Sequence, residues 1–134
     1  MRIHTQRRRG SSMVEFAMVF ILFMTMAVGL MEGGRMVWVY TTLSHAARQG
    51  ARYAVVHGVN SPVPDSNIAA VVHANSIGLA PKDVIVKTAW EAGKGKGSIV
   101  EVDVAYDLPF MTANLFVKSK QIRLASTARM IVLN

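Results

Sequence analysis

The chain has 134 residues, a net charge of +7 and no cysteine. That length leaves room for one small domain, and the missing thiols exclude disulfides, thiolate catalysis, a cysteine-based zinc site and a lipid-modified N-terminal cysteine. Four of the fifteen basic residues lie in the first nine positions, and the others are scattered without interleaved aromatic residues. A nucleic-acid-binding surface is not distributed in this way, so we expect no nucleic-acid partner.

A basic cluster, a glycine and a long apolar run open the chain in that order. Arginines at 7–9 and Gly10 precede residues 16–31, which carry no charge and extend about 24 Å as a helix. Extending this helix back to Ser11 gives about 31 Å, which matches the hydrocarbon core of a bilayer. A secretory signal is cut after its apolar region, whereas the only plausible break here, at Gly10, precedes it. Cleavage at Gly10 would therefore leave the apolar segment in the product.

The charges that flank the apolar run predict its orientation. The arginines at 7–9 lie on its N-terminal side, and Arg35 is the only basic residue close to its other end. The positive-inside rule therefore places the N-terminus in the cytoplasm. We expect a single-pass protein with a cytoplasmic leader at residues 1–10, a transmembrane helix at 11–34 and an exported remainder.

One carboxylate, Glu15, lies at the start of the apolar helix, five residues beyond Gly10. An ionisable group within a membrane span is costly and points to a function. The alternative is that Glu15 reaches the interface and only marks the helix start, where a negative charge suits the positive end of the helix dipole. With Gly10 before it and Phe16 directly after it, the functional interpretation is favoured.

The helical pattern continues beyond the apolar run. Between residues 36 and 57 apolar positions recur at spacings of three and four, which is typical of an amphipathic helix. Gly58 and the prolines at 62 and 64 provide the signal that ends the helix. We therefore predict one helix of about 69 Å from about Ser12 to His57, of which residues 35–57 form the amphipathic extension. The predicted apolar face comprises Met36, Val39, Tyr40, Leu43, Ala46, Ala47, Gly50, Tyr53 and Ala54, and the polar face Thr41, Thr42, His45, Arg48, Gln49 and Arg52.

Residues 58–134 are predicted to form a small exported α+β domain. A short helix over residues 66–76 has Asp65 or Ser66 as its N-cap and Gly78 as its stop. Apolar residues that alternate along the chain then predict three strands, and the glycine-rich segment 91–97 connects the first two as a hairpin. The alternating positions are Val84, Val86 and Trp90; Val100, Val102, Val104 and Tyr106; and Ile122, Leu124, Ala128, Met130 and Val132.

The economical arrangement is a three-stranded antiparallel sheet and the short helix packed on the outer half of the long helix. The polar faces of the strands are compatible with this sheet. Glu101 and Asp103 are expected to lie across from Arg123 and Arg129.

The first 58 residues carry three motifs that resemble TadE-like proteins of the tight-adherence (Flp) pilus. They are Val14-Glu15-Phe16 after Gly10, Glu32-Gly33-Gly34-Arg35, and the segment from Ser44 to Ala54, which reads SHAARQGARYA. The three motifs occur in the family's order, which makes the resemblance specific. Gly33 departs from the pattern, since a bulkier residue is expected there.

The resemblance implies a pseudopilin or minor pilin, a structural or assembly component of a type IV-like pilus of bacteria. A prepilin peptidase would cut between Gly10 and Ser11, and Glu15 and Phe16 would serve in assembly. The implied partners are the prepilin peptidase, other pilin or pseudopilin subunits, the pilus assembly platform and the inner membrane. The protein would reside in that membrane and enter a surface pilus.

Other chemistries find little support in the sequence. Residues 93–98 superficially suggest a phosphate loop but lack its spacing, and a hairpin turn explains them better. No two of the histidines at 4, 45, 57 and 73 lie three or four residues apart, and the acidic residues do not match a calcium loop. Ser44 and His45 are adjacent and therefore face different directions on a helix. We expect no enzyme activity, cofactor, metal or small-molecule substrate.

The alternative belongs to a different class of protein. It is a single-pass protein with an uncleaved signal anchor, whose outer domain binds a ligand or regulates a membrane complex. The absence of cutting at Gly10 would distinguish it from a pilin-like subunit.

Overall fold

The computed structural model describes residues 7–58, 63–91, 93, 97–110 and 121–132, with the backbone alone at 7–9. Its class is α+β, as predicted. The elements are α1 (Arg7–His57), α2 (Asp65–Asn75), a 3₁₀ turn (Pro81–Asp83), β1 (Val84–Glu91), β2 (Ile99–Pro109) and β3 (Gln121–Ile131). The chain forms two compact units, Met1–Gly34 and Arg35–Asn134.

The sheet of the second unit has the order β1-β2-β3, and both pairs of strands are antiparallel. Val84 pairs with Tyr106 on β2, and Tyr106 pairs with Leu124 on β3. Val100, Val102 and Val104 are completely buried, which confirms the predicted inner face of β2. The ends of the predicted hairpin, Glu91 and Ile99, pair with each other. Residues 92 and 94–96, which include half of the segment 93–98 compared above with a phosphate loop, lie outside the described residues.

The polar face of the sheet has a slightly different register from the predicted one. Arg129 Nη2 lies 2.8 Å from Glu101 Oε2, as expected. Asp103, however, accepts a hydrogen bond of 2.6 Å from the Thr127 hydroxyl, and Arg123 lies opposite Asp107 at 4.0 Å. The hydrogen bond with Glu101 and the attraction of its carboxylate raise the pKa of the Arg129 guanidinium.

The core of the second unit lies between the sheet, α2 and one face of α1. The buried face of α1 is built chiefly from small residues: Val39, Leu43, Ala46, Ala47, Gly50, Ala51 and Ala54. The periodicity predicted most of this face, but Tyr40 is 51% exposed, which corrects its assignment to the core. Ala51, which the pattern did not single out, is fully buried.

Glycine at position 50 permits the close approach of these layers. A Cβ there would lie 2.6 Å from Cγ2 of Val72 on α2 and 3.4 Å from Cγ1 of Val102 on β2. Real Cβ atoms are not found so close to another heavy atom, because packing at this distance is repulsive. The helix therefore packs against its neighbours through its backbone.

The N-terminus of α2 differs from the predicted cap. Pro64, not Asp65 or Ser66, is the N-cap residue, and its carbonyl accepts the first backbone hydrogen bond from Asn67 at 3.0 Å. The φ of −62° that its ring favours suits this position, and no side chain caps the helix. Asp65 instead lies in the first turn, where its charge suits the helix dipole.

Candidate functional site

The predicted processing residues lie in the first turns of α1. Gly10 and Ser11 are helical and exposed. A Cβ at Gly10 would meet no heavy atom within 4 Å. Nothing in the described packing therefore requires a glycine at this position.

Glu15 lies one helical turn beyond Ser11, on the same helix and exposed. It is the only charged residue between positions 10 and 31. Among the described residues, none forms an ion pair or a hydrogen bond with its carboxylate. A carboxylate placed at the start of an apolar helix in this way is able to accept a cationic group from another molecule.

Phe16 is predominantly exposed and stacks on Phe20 of the next turn, with ring centroids 6.0 Å apart. The large apolar side chains that follow it, as far as Met31, are also exposed. The one hydroxyl in this run, that of Thr25, donates to the carbonyl of Ile21 at 2.8 Å. The surface is therefore apolar with its polar groups satisfied internally, which suits lipid or a packed neighbour but not water.

Within the part of the chain that the structure describes, one helix is long and apolar enough to cross a membrane, over Gly10–His57. This helix is compatible with a membrane anchor. The four predicted site residues thus occupy consecutive turns at the start of one apolar helix.

The second sequence motif ends in a residue with a structural role. The Arg35 guanidinium donates a hydrogen bond of 3.0 Å to the carbonyl of Pro109, the last residue of β2. This bond fixes the start of the α1 segment in the second unit to one end of the sheet. Sequence reasoning missed it, because the two residues are 74 positions apart.

The third motif supplies the packing face of α1. Ser44 shares a hydrogen bond of 2.9 Å with Ser126 on β3, and the small residues after it form the buried stripe around Gly50. Arg48 and Arg52 are exposed on the other face. Ser44 is thus held by the sheet, and His45, on a different side of the helix, does not act on it.

These features are an exposed apolar helix and a small packed domain, and part of the chain matches a known protein family. Residues 10–52 match the TadE-like family. The matched TadE-like segment begins at Gly10, includes the first two motifs and covers the third from Ser44 as far as Arg52. The family resemblance expected from the sequence is therefore confirmed over these residues.

The TadE-like match indicates a component associated with the tight-adherence pilus, in a family of structural components and not of enzymes. No curated protein and no solved structure gave a significant match to the chain. Among the described residues, no group of three histidine, aspartate or glutamate side chains is placed to hold a metal ion.

Proposed function

We propose that this protein is a pseudopilin or minor pilin of a tight-adherence pilus, processed by a prepilin peptidase. Residues 1–10 would form its cytoplasmic leader and residues 11–34 its span of the inner membrane. Residues 35–57 would continue the helix into the exported domain at 58–134. The observation that carries this proposal is an exposed, uncharged apolar run at residues 16–31, preceded by one carboxylate that lies one turn after Ser11.

The proposed cleavage hydrolyses the peptide bond between Gly10 and Ser11. One water is consumed, the leader leaves with a carboxylate at Gly10, and the mature chain begins with an amine at Ser11. A Cβ at Gly10 would meet open space, so the fold of the chain itself does not need a glycine there. A need for glycine at this position would therefore come from a protein that binds this segment. A peptidase that admits only a bare backbone beside the scissile bond would impose that requirement.

In the mature chain the Ser11 amine and the Glu15 carboxylate begin the same helix. Within one subunit they are close but poorly aimed at each other, whereas a neighbour staggered along a fibre axis brings its amine directly to this carboxylate. In an apolar setting the attraction is large, and so is the cost of burying either charge alone. The pair would therefore select the packing register in which Glu15 is neutralised.

Co-expression of the full chain with a prepilin peptidase tests the proposal. We expect the product to lose ten residues and N-terminal sequencing to begin at Ser11. Gly10→Val should remain uncut and inserted. Gly29→Val is the matched control, because a Cβ there also meets no heavy atom within 4 Å.

The control should be processed normally. An uncut wild-type chain would instead support the alternative, a signal-anchored protein with a ligand-binding or regulatory outer domain. Normal processing of Gly10→Val would remove Gly10 from the site.

A further inference from the structure

The second unit exposes a tryptophan and an isoleucine side by side. Trp38 on α1 is 47% exposed, and Ile77, in the turn after α2, is 76% exposed. Both line an open groove of about 390 Å³, with Thr41, Thr42, His45 and Asn75. A tryptophan and an isoleucine that line one groove form an exposed apolar patch, and such a patch is a candidate for contact with something apolar.

The turn that carries Ile77 is fixed against the indole of Trp38. Gly78 has a φ of +80°, and a Cβ added to it would lie 2.7 Å from Cη2 of Trp38. Only glycine satisfies both the left-handed backbone and this close approach. Ile77 is therefore held at the level of Trp38, and the two side chains form one surface.

The position of Trp38 along the chain places this surface next to the proposed membrane span. α1 is helical through this part of the chain, so Trp38 lies about 6 Å along the helix from residue 34, the last residue of the proposed span. The headgroup region extends about 5–7 Å beyond the hydrocarbon core on each side of a bilayer. A side chain at residue 38 thus reaches the headgroup layer.

Exposed aromatic and apolar side chains adjoin Trp38 on the same side of the helix. Val37 is 64% exposed and Tyr40 is 51% exposed. At 100° per residue, positions 37, 38 and 40 lie within an arc of about 160°, on the side of α1 opposite the buried Val39. A lipid interface favours tryptophan and tyrosine, whose rings are apolar with one polar atom.

We propose that Trp38 and Ile77 form a lipid-contact surface that seats the exported domain on the headgroup region of the outer leaflet. Trp38 lies among the headgroups, and Ile77 inserts from the turn after α2 as a second, separate point of contact. The inference rests on the membrane anchoring in the proposed function. It does not depend on cleavage or on entry into a pilus.

The chain lacks cysteine, so one introduced thiol gives a single labelling site. Ile77→Cys, labelled with the polarity-sensitive dye NBD, is reconstituted as the full chain into phosphatidylethanolamine–phosphatidylglycerol vesicles that contain headgroup-nitroxide lipid. Ile131→Cys is the matched control, since Ile131 is also an exposed isoleucine, at 50%. Ile131 pairs with Ile99, the first residue of β2. Pro109, which accepts the hydrogen bond from Arg35, is the last residue of β2 and lies about 33 Å away along the strand.

We expect quenching at residue 77 to be at least about twofold stronger than at residue 131, because only residue 77 lies at headgroup depth. The two tryptophans give an independent check without a label. Trp90→Phe leaves Trp38, which should be quenched by the nitroxide lipid. Trp38→Phe leaves Trp90, which pairs with Val100 at the distal end of the sheet and should not be quenched.

Resistance to carbonate extraction is measured on the same vesicles. An inserted chain with equal quenching at residues 77 and 131 overturns this inference and leaves the anchoring intact. A chain that is extracted overturns both. If the NBD emission at residue 77 changes when the protein is diluted in lipid, a second copy occupies the surface and the lipid contact is wrong.

Discussion

Gly50 controls how closely α1 approaches α2 and the sheet, and replacing it tests the packing of the second unit. Val72 and Val102, which a side chain at residue 50 would meet, are both completely buried. Their β-branched side chains have little rotameric freedom with which to move aside. Gly50→Val should therefore push α1 away from its neighbours and lower the free energy of unfolding.

The expected magnitude follows from two opposing terms. Overpacking a core costs about 1–3 kcal/mol, and valine adds three carbons where even one is too close, so the upper end applies. Replacing glycine by valine within a helix returns only about 0.3 kcal/mol, since valine is a modest helix former. The net loss of about 2–3 kcal/mol lowers the Tm by about 10 °C or more in a domain of this size.

Thermal unfolding of the full chain in detergent micelles, followed by near-UV circular dichroism, measures this Tm. Gly29→Val, at an open helical position, should leave it nearly unchanged. A double-mutant cycle of Gly50→Ala and Val72→Ala isolates the contact, because the smaller residue at 72 makes room for the new methyl. The reasoning is refuted if the two alanine changes are additive, or if the valines at 29 and 50 are equally tolerated.

Two further predictions concern the sheet and Glu15. Val102→Asp should bury an unpaired charge and destabilise the second unit by about 4 kcal/mol or more. Glu101→Gln, in a surface ion pair on the opposite face of the sheet, should have little effect, and equal losses of Tm would contradict the strand register. Glu15→Val should be inserted and cut yet fail to enter the pilus, and Glu15→Asp should be partly impaired by its shorter reach. Normal recovery of the valine variant in pilus preparations would leave Glu15 with only its alternative role at the helix start.

The sequence predicted the elements well because their periodicities are local properties. Spacings of three and four specify the long helix, and alternation specifies the strands; neither requires knowledge of distant residues. The inner face of β2 around Val102 followed from alternation alone. The resemblance to the TadE-like family could also be found from the sequence, because each of its motifs is a short continuous run of residues.

The details that sequence reasoning missed depend on contacts between distant positions. Asp103 meets Thr127 and not an arginine, since the pairing register is set by strand partners and the connection between them. Tyr40 lies at the edge of the apolar stripe, where periodicity cannot distinguish a core residue from an exposed one. The bond from Arg35 to Pro109 leaves no local signal at all.

The small residues in the buried stripe of α1 also have an entropic consequence. Ala46, Ala47, Ala51 and Ala54 have no side-chain rotamers to lose, so burying them costs almost no side-chain conformational entropy. Leucine or methionine at the same positions would bury more area but would have to be ordered on folding. In a domain of this size, the stripe packs the helix on the sheet with little loss of side-chain conformational entropy.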